Sequence, residues 1–160
     1  GTLIRHVAAT RFAIARREVT NAEFSVFLAA SGYVPPRTER FVIHGAPTDP
    51  VTHVELADAR AYSAWAGLRL PTEDEWQIAA AEGLLERATP LVWNLTESEH
   101  NDGRTRFHIL KGGCEALTSP SDWYVESGPR PPEYAVKLLQ CGAGLNRSPR
   151  IGFRCAIDLR

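Results

Sequence analysis

The sequence predicts an α+β domain. Three segments with helical periodicity and helix-start signals fall in the first half of the chain. The clearest strands come late, without the strand–helix alternation of a parallel α/β fold. The chain's 160 residues contain no internal repeat, charge block or low-complexity tract, which suits a single domain over residues 1–160 with room for a proper core.

The elements follow in order. In "RFAIARREV", Phe12 and Ile14 alternate with polar neighbours and read as a strand. Thr20 and Glu23 then form a capping box, each side chain meeting the other's free backbone N–H. Phe24, Phe27 and Leu28 share one helical face, and Gly32 ends the helix. The proline-rich stretch 33–51 reads as irregular loop. "ELADARAYSAWAG" is a second helix, with Leu56, Ala59, Tyr62, Trp65 and Ala66 as its buried stripe and Gly67 as its stop. Pro71 and a second capping box, Thr72 with Glu75, open a short third helix that turns Trp76, Ala79 and Ala80 inward. "TRFHILKGG" and "RIGFRCAID" read as strands, separated by a long stretch from Cys114 to Arg150 rich in Pro and Gly. "TESEHNDG" reads as a solvated acidic turn closed by Asp102-Gly103, with a His100-containing Ca²⁺ or Zn²⁺ site as the alternative.

Composition excludes several function classes. Apolar content of 44% is ordinary for a soluble globular chain, and a formal net charge of −1 supplies no field for nucleic acid or anionic membrane. No apolar run approaches the roughly 18 to 20 residues that span a bilayer. The chain opens with Gly1 and holds no Met, so its natural start is expected to have been removed. Cys114, Cys141 and Cys155 lie far apart, without the spacing of a zinc site or a disulfide scaffold. Reduced thiols are favoured over one disulfide plus a free thiol. Location stays open, with a cytoplasmic setting preferred.

"REVTNAEFSVFLAASG", "PVTHVELADARAYSAWAGLRLPTEDEWQIAAAEG", "VWNLTES", "ILKGG" and "IGFRCA" occur in that order. Together they resemble the formylglycine-generating, or sulfatase-modifying-factor, family over roughly residues 11 to 157, most specifically in "WAGLRLPTEDEW". The resemblance implies an irregular relative of the C-type lectin fold, with a small twisted antiparallel sheet, two main helices and long loops. It also implies a range of activities. Name-giving members oxidise a cysteine of sulfatase peptides to formylglycine with copper and oxygen; related domains serve sulfoxide synthases, where a partner domain supplies iron ligands; others bind ligands. Within the central block, Arg69, Glu73 and Trp76 read as structural, with Arg69 pairing a carboxylate and Trp76 plugging the helix onto the sheet.

This chain departs from that pattern after the paired glycines. Family members that form formylglycine carry two cysteines there, whose thiolates hold Cu(I). Here the segment reads "GGCEALTSPSDWYVESGPRPP", with Cys114 alone, and the two ligand positions fall near Leu117 and Asp122. Formylglycine formation by the copper route is not expected. The family's calcium-binding insert is also missing between "AAAEG" and "VWNLTE", so neither copper nor calcium is an expected cofactor. The resemblance would put Cys114 in or beside a substrate groove lined by Trp93. His108 and Lys111 lie near in sequence on opposite strand faces. Cys114 is then a small buried residue, a ligand-lining thiol or a nucleophile. Cys155 reads as core or a disulfide partner. Trp123 and Tyr124 read either as a contact surface or as loop anchors. Arg147, Arg150 and Arg154 are surface charges or, for Arg154 above all, a carboxylate receptor. Two readings follow: a module binding a peptide, a small ligand or another domain, and an oxidoreductase using another metal or a partner's ligands. His53 in "PVTHVE", where sulfoxide-synthase-like sequences often carry histidine, favours the second. Asn94-Leu95-Thr96 matches a glycosylation sequon within a motif expected to be partly buried.

Overall fold

A computed structural model describes residues 11–36, 41, 43–88, 91–101, 106–111, 113–114, 128–129, 135–139 and 148–159; at 99–101, 106–108, 113–114, 128–129 and 135–139 the backbone alone is described. Strand β1 (Phe12–Ile14) leads into helix α1 (Asn21–Ser31). The helix starts where Thr20 is extended: its hydroxyl accepts from the Glu23 N–H at 3.2 Å, and Glu23 accepts from the Thr20 N–H at 3.0 Å. It stops at Gly32, which takes a left-handed φ of 66° and donates its N–H to the Leu28 carbonyl. Helix α3 (Glu73–Ala81) repeats the entry device with Thr72 and Glu75, and buries Trp76 and Ala79 with Ala80 half-buried.

Helix α2 (Leu56–Trp65) corrects the expected stripe. Leu56, Ala59 and Tyr62 are buried, but Trp65 is 45% exposed and Ala66 lies outside on the surface. The inward positions are taken by Asp58 and Ser63. Asp58 accepts from the Tyr33 hydroxyl and from the Glu55 N–H, both at 2.7 Å, and the Ser63 hydroxyl donates to the Ala59 carbonyl. Each buried polar group has its partner, so the helix turns a mixed face inward at little cost.

The strands after α3 are β2 (Trp93–Asn101), β3 (Arg106–Lys111), β4 (Gly113–Cys114), β5 (Gly128–Pro129), β6 (Ala135–Leu139), β7 (Ile151–Gly152) and β8 (Ala156–Asp158). The main sheet runs β6-β3-β2-β7, antiparallel except for the β2–β7 pair. A second sheet pairs β1 with β8, and a bridge from Ala156 to Arg69 lies on the other side of β8. β4 and β5 make a third. The molecule is thus a small α+β fold.

Two strand readings change. "TESEH" is the body of β2 rather than a turn; Asp102-Gly103 lie outside the described residues. From Trp93 to Thr96 apolar and polar residues alternate along β2, but both faces are buried, the polar one included. Likewise "RIGFRCAID" is two short strands: Phe153 to Cys155 cross from the main sheet to the β1 sheet, held by bonds from the Val19 N–H to the Phe153 carbonyl and the Ala15 N–H to the Cys155 carbonyl. β6 lies within the stretch expected to be irregular.

The core gathers Phe24, Phe27, Tyr62 and Phe153 around Val51, Val54 and Leu70. Phe24 stacks on Tyr62 at 5.9 Å between ring centroids, and Tyr62 meets Phe153 edge-on at 5.6 Å. Burial, followed by the charge of Glu23, pushes the Tyr62 phenol up to about 12. An unfolded tyrosine titrates near 10. Below about pH 10 both states hold the proton and the shift does not matter; from about 10 to 12 the unfolded chain releases it first, so stability falls as pH rises. Urea midpoints measured from pH 9 to 11.5 should decline more steeply for the parent protein than for Tyr62→Phe.

Gly152 sits where β7 passes Val51. A Cβ there would lie 2.8 Å from the Val51 carbonyl oxygen, which is backbone, and 3.3 Å from a Val92 methyl. Gly152→Ala should therefore destabilise the fold by about 1–3 kcal/mol, read as a lower urea midpoint with unchanged m-value.

Candidate functional site

The start of β2 is the most heavily engineered place in the described molecule. Trp93, Asn94 and Arg154 have no solvent exposure, and Trp76 has 1%. The Asn94 side-chain oxygen accepts from the Trp76 indole N–H at 2.9 Å and from Arg154 Nε at 2.8 Å. The Asn94 amide faces Glu18 at 3.4 Å. Arg154 meets Glu18 at 3.1 Å, and its remaining N–H groups donate to the carbonyls of Ala15, Arg16 and Glu86. Arg87 lies 3.8 Å from Glu18 and 5.3 Å above the Trp76 ring, with Lys111 Nζ 6.0 Å from that ring. Burial brings the Arg154 guanidinium down to about 10 against the opposing pull of Glu18, which leaves it cationic at neutral pH.

Arg154 is therefore placed inside the fold, with its fork aimed at internal acceptors rather than at a ligand's carboxylate. Arg150 is also buried, at 8% exposure, where a surface charge was expected. Trp93 belongs to the core cluster and lines no open surface among the described residues. Arg69 pairs with Glu75, not Glu73, through two parallel bonds of 2.7 and 2.8 Å, and reaches Asp158 at 2.6 Å. Burial works to raise the Glu75 carboxyl, but bonds from Arg69 and Thr72 hold it below its ordinary value. Arg69 thereby ties the α3 entrance to β8. The Glu73 N–H donates to the Ser98 hydroxyl. Sequence reasoning missed Glu18, Arg87 and Asn94. The signal available for Glu18 was its place just before the first capping box.

Cys114 ends β4 and pairs in register with Gly128. His108 lies on β3 between Glu99 and Leu138. For both, the backbone alone is described. Trp123, Tyr124, Cys141 and Arg147 lie outside the described residues, as do Leu117 and Asp122. Cys155 is buried in the core, within 3.4 Å of the Ser63 hydroxyl, and burial pushes its thiol up. The sequon at Asn94 is fully internal, as is Thr96, whose hydroxyl donates to the Ile109 carbonyl. His53 adopts a left-handed φ of 59° and stacks on His44 at 3.8 Å between centroids, beside an open cavity of about 370 Å³ that includes Asp49 and Thr52. Among the described residues no three His, Cys, Asp or Glu side chains form a metal-binding group.

A family model described as the sulfatase-modifying factor enzyme 1-like domain matches residues 4–124. The chain belongs to that family. Within the sulfatase-modifying-factor family it is similar to the formylglycine-generating enzyme of Thermomonospora curvata, 32% identical over 169 aligned positions that take in 79% of this chain and 54% of the relative. It is similar to the bovine protein named inactive C-alpha-formylglycine-generating enzyme 2, 58% identical over 41 residues, 26% of this chain and 14% of the relative. It is also similar to the hercynine oxygenase of Mycolicibacterium smegmatis, 38% identical over 98 residues, 44% of this chain and 23% of the relative. The chain spans about half the length of the Thermomonospora relative and less of the others.

The family's copper can be tested against these donors. Cu(I) held by two thiolates needs two cysteines that approach one point. The segment after Gly112-Gly113 supplies Cys114 alone. Cys155 is committed to the core beside Ser63, with its proton favoured. The paired-cysteine copper centre does not fit this segment.

Proposed function

We propose that this chain is a sulfatase-modifying-factor domain used as a binding or accessory module for a peptide, a small ligand or another domain, on an irregular C-type-lectin-like scaffold. The observation that carries the reading is the single thiol after the paired glycines, beside a scaffold whose fixing contacts are intact. Arg69 still clamps Glu75 and Asp158, and Trp76 still bonds Asn94. The similarity to a relative named inactive supports the reading, since it extends the scaffold to a protein without the named activity. No described helix is long and apolar enough to cross a membrane.

The similarity to a hercynine oxygenase, together with His53 stacked on His44, favours a second reading: an oxidoreductase whose metal ligands come partly from elsewhere. One pair of measurements separates them. The purified protein is incubated with a Cys-x-Pro-x-Arg peptide, Cu(I) and oxygen, and peptide mass is followed. The module reading expects no mass change. Conversion that is lost in Cys114→Ser overturns it. Stoichiometric iron or copper in the isolated protein supports the second reading against the first.

A further inference from the structure

The β1 edge offers a surface that the reading above does not use. Among the described residues β1 is paired on one side only, with β8. The Leu159 N–H donates to the Arg11 carbonyl and the Ala15 N–H to the Cys155 carbonyl, so residues 11 and 15 form the hydrogen-bonded pairs of the β1–β8 ladder. In an antiparallel ladder such pairs alternate with non-bonded ones. Ala13 therefore bonds to β8 as well, and the N–H and C=O groups of Phe12 and Ile14 point away from β8. Phe12 and Ile14 also line a groove of about 520 Å³ together with the end of α3. Its apolar wall carries Ile78 at 37% exposure, Leu84 at 49% and Leu159 at 51%. Among the described lining residues its charged rim carries Arg11 and Arg16, against Glu82 as the one acid. The neighbouring Arg17 is engaged with Glu86. Past Ile14 the edge closes, because the Arg16 carbonyl accepts from the Glu86 N–H and from Arg154.

We propose that the outer edge of β1 is a docking site for a short extended peptide with alternating apolar side chains flanked by acidic residues. The open backbone groups supply strand-addition bonds, which every extended peptide can make. The Ile78–Leu84 wall takes alternate side chains. Arg11 and Arg16 select acidic flanks, as guanidinium groups form forked bonds with carboxylates. The closed end beyond Ile14 limits the added strand to about three to five residues. This site is separate from the Cys114 segment, so it stands or falls independently of the peptide-oxidation assay.

The test uses fluorescein-labelled pentapeptides Asp-X-Thr-X-Asp with X as Val, Ile, Leu or Phe, and reads fluorescence anisotropy at low salt. Saturable binding is expected from at least one of them. N-methylating its alternate backbone amides, in the register that faces β1, should weaken it by about tenfold or more. Ile14→Pro should do the same, since it removes an outward N–H without taking a ladder bond from β8. In the double variant Arg11→Glu, Arg16→Glu, preference should reverse toward Lys-flanked peptides, a result that a merely misfolded variant cannot produce. Thermal melts verify that each variant folds. Absence of binding across the set, or binding indifferent to both N-methylation and flanking charge, overturns the proposal. So does a concentration-dependent dimer in sedimentation that Ile14→Pro abolishes, for then the edge is filled by a second copy of the chain.

Discussion

Arg154→Met should lower stability by about 3–5 kcal/mol, enough to leave much of the protein unfolded at physiological temperature. The guanidinium has no solvent exposure, and its partners are Glu18, the Asn94 oxygen and three backbone carbonyls. Methionine fills most of the volume but donates nothing. It leaves the Glu18 carboxylate, 5% exposed, with its nearer cation gone. Stranding a buried charge is more damaging than never having buried one. The double variant Arg154→Met, Glu18→Gln should therefore cost less than the sum of the singles, by about 1–3 kcal/mol of coupling. Arg154→Lys should recover only part, because a lone ammonium cannot reach acceptors spread around a planar fork. Urea titration of the parent, both single variants, the double variant and Arg154→Lys measures this. A loss under about 1 kcal/mol for Arg154→Met would show that the cluster contributes little.

Trp76→Ala should be comparably severe, at about 3–5 kcal/mol. The indole is 1% exposed, it bonds Asn94, and Arg87 and Lys111 stand near its ring. Truncation opens a cavity and removes the ring those cations approach. Trp76→Phe isolates the polar part: it keeps an aromatic surface but leaves one of two donors on the Asn94 oxygen, so about 1–2 kcal/mol is expected. Equal losses for the two substitutions, again from urea midpoints, would mean that the hydrogen bond rather than the packing governs the position.

The parts of the fold that were legible in the sequence are those fixed locally. The Thr20–Glu23 and Thr72–Glu75 boxes announce α1 and α3 because both partners lie within one turn. α2 was legible from its apolar spacing and Gly67 rather than from a capping signal, since Glu55 is an uncommon cap and its partner Asp58 reads as an exposed acid. The start of β2 alternates apolar and polar residues, but its polar face is internal too, with Asn94 and Thr96 bonded to α3 and β3, and that burial rests on distant partners no local pattern shows. Arg154 read as a surface charge or a receptor for a ligand's carboxylate; its burial depends on Glu18, far away in the sequence, a pairing that no local pattern encodes. The chemistry of the Cys114 segment was readable as a count of soft ligands. The β1 groove was not, because it is made by which edge of a three-residue strand stays open.

The pairing of Phe12 with Asp158 also governs when this chain can fold. Residues 12–14 and 156–158 must both be free of the ribosome before β8 can join β1, and until Arg154 reaches Glu18 and Phe153 arrives the central aromatic cluster is incomplete. Closure across such sequence distance is entropically slow, which places refolding toward the millisecond-to-second end of the scale for domains of this size.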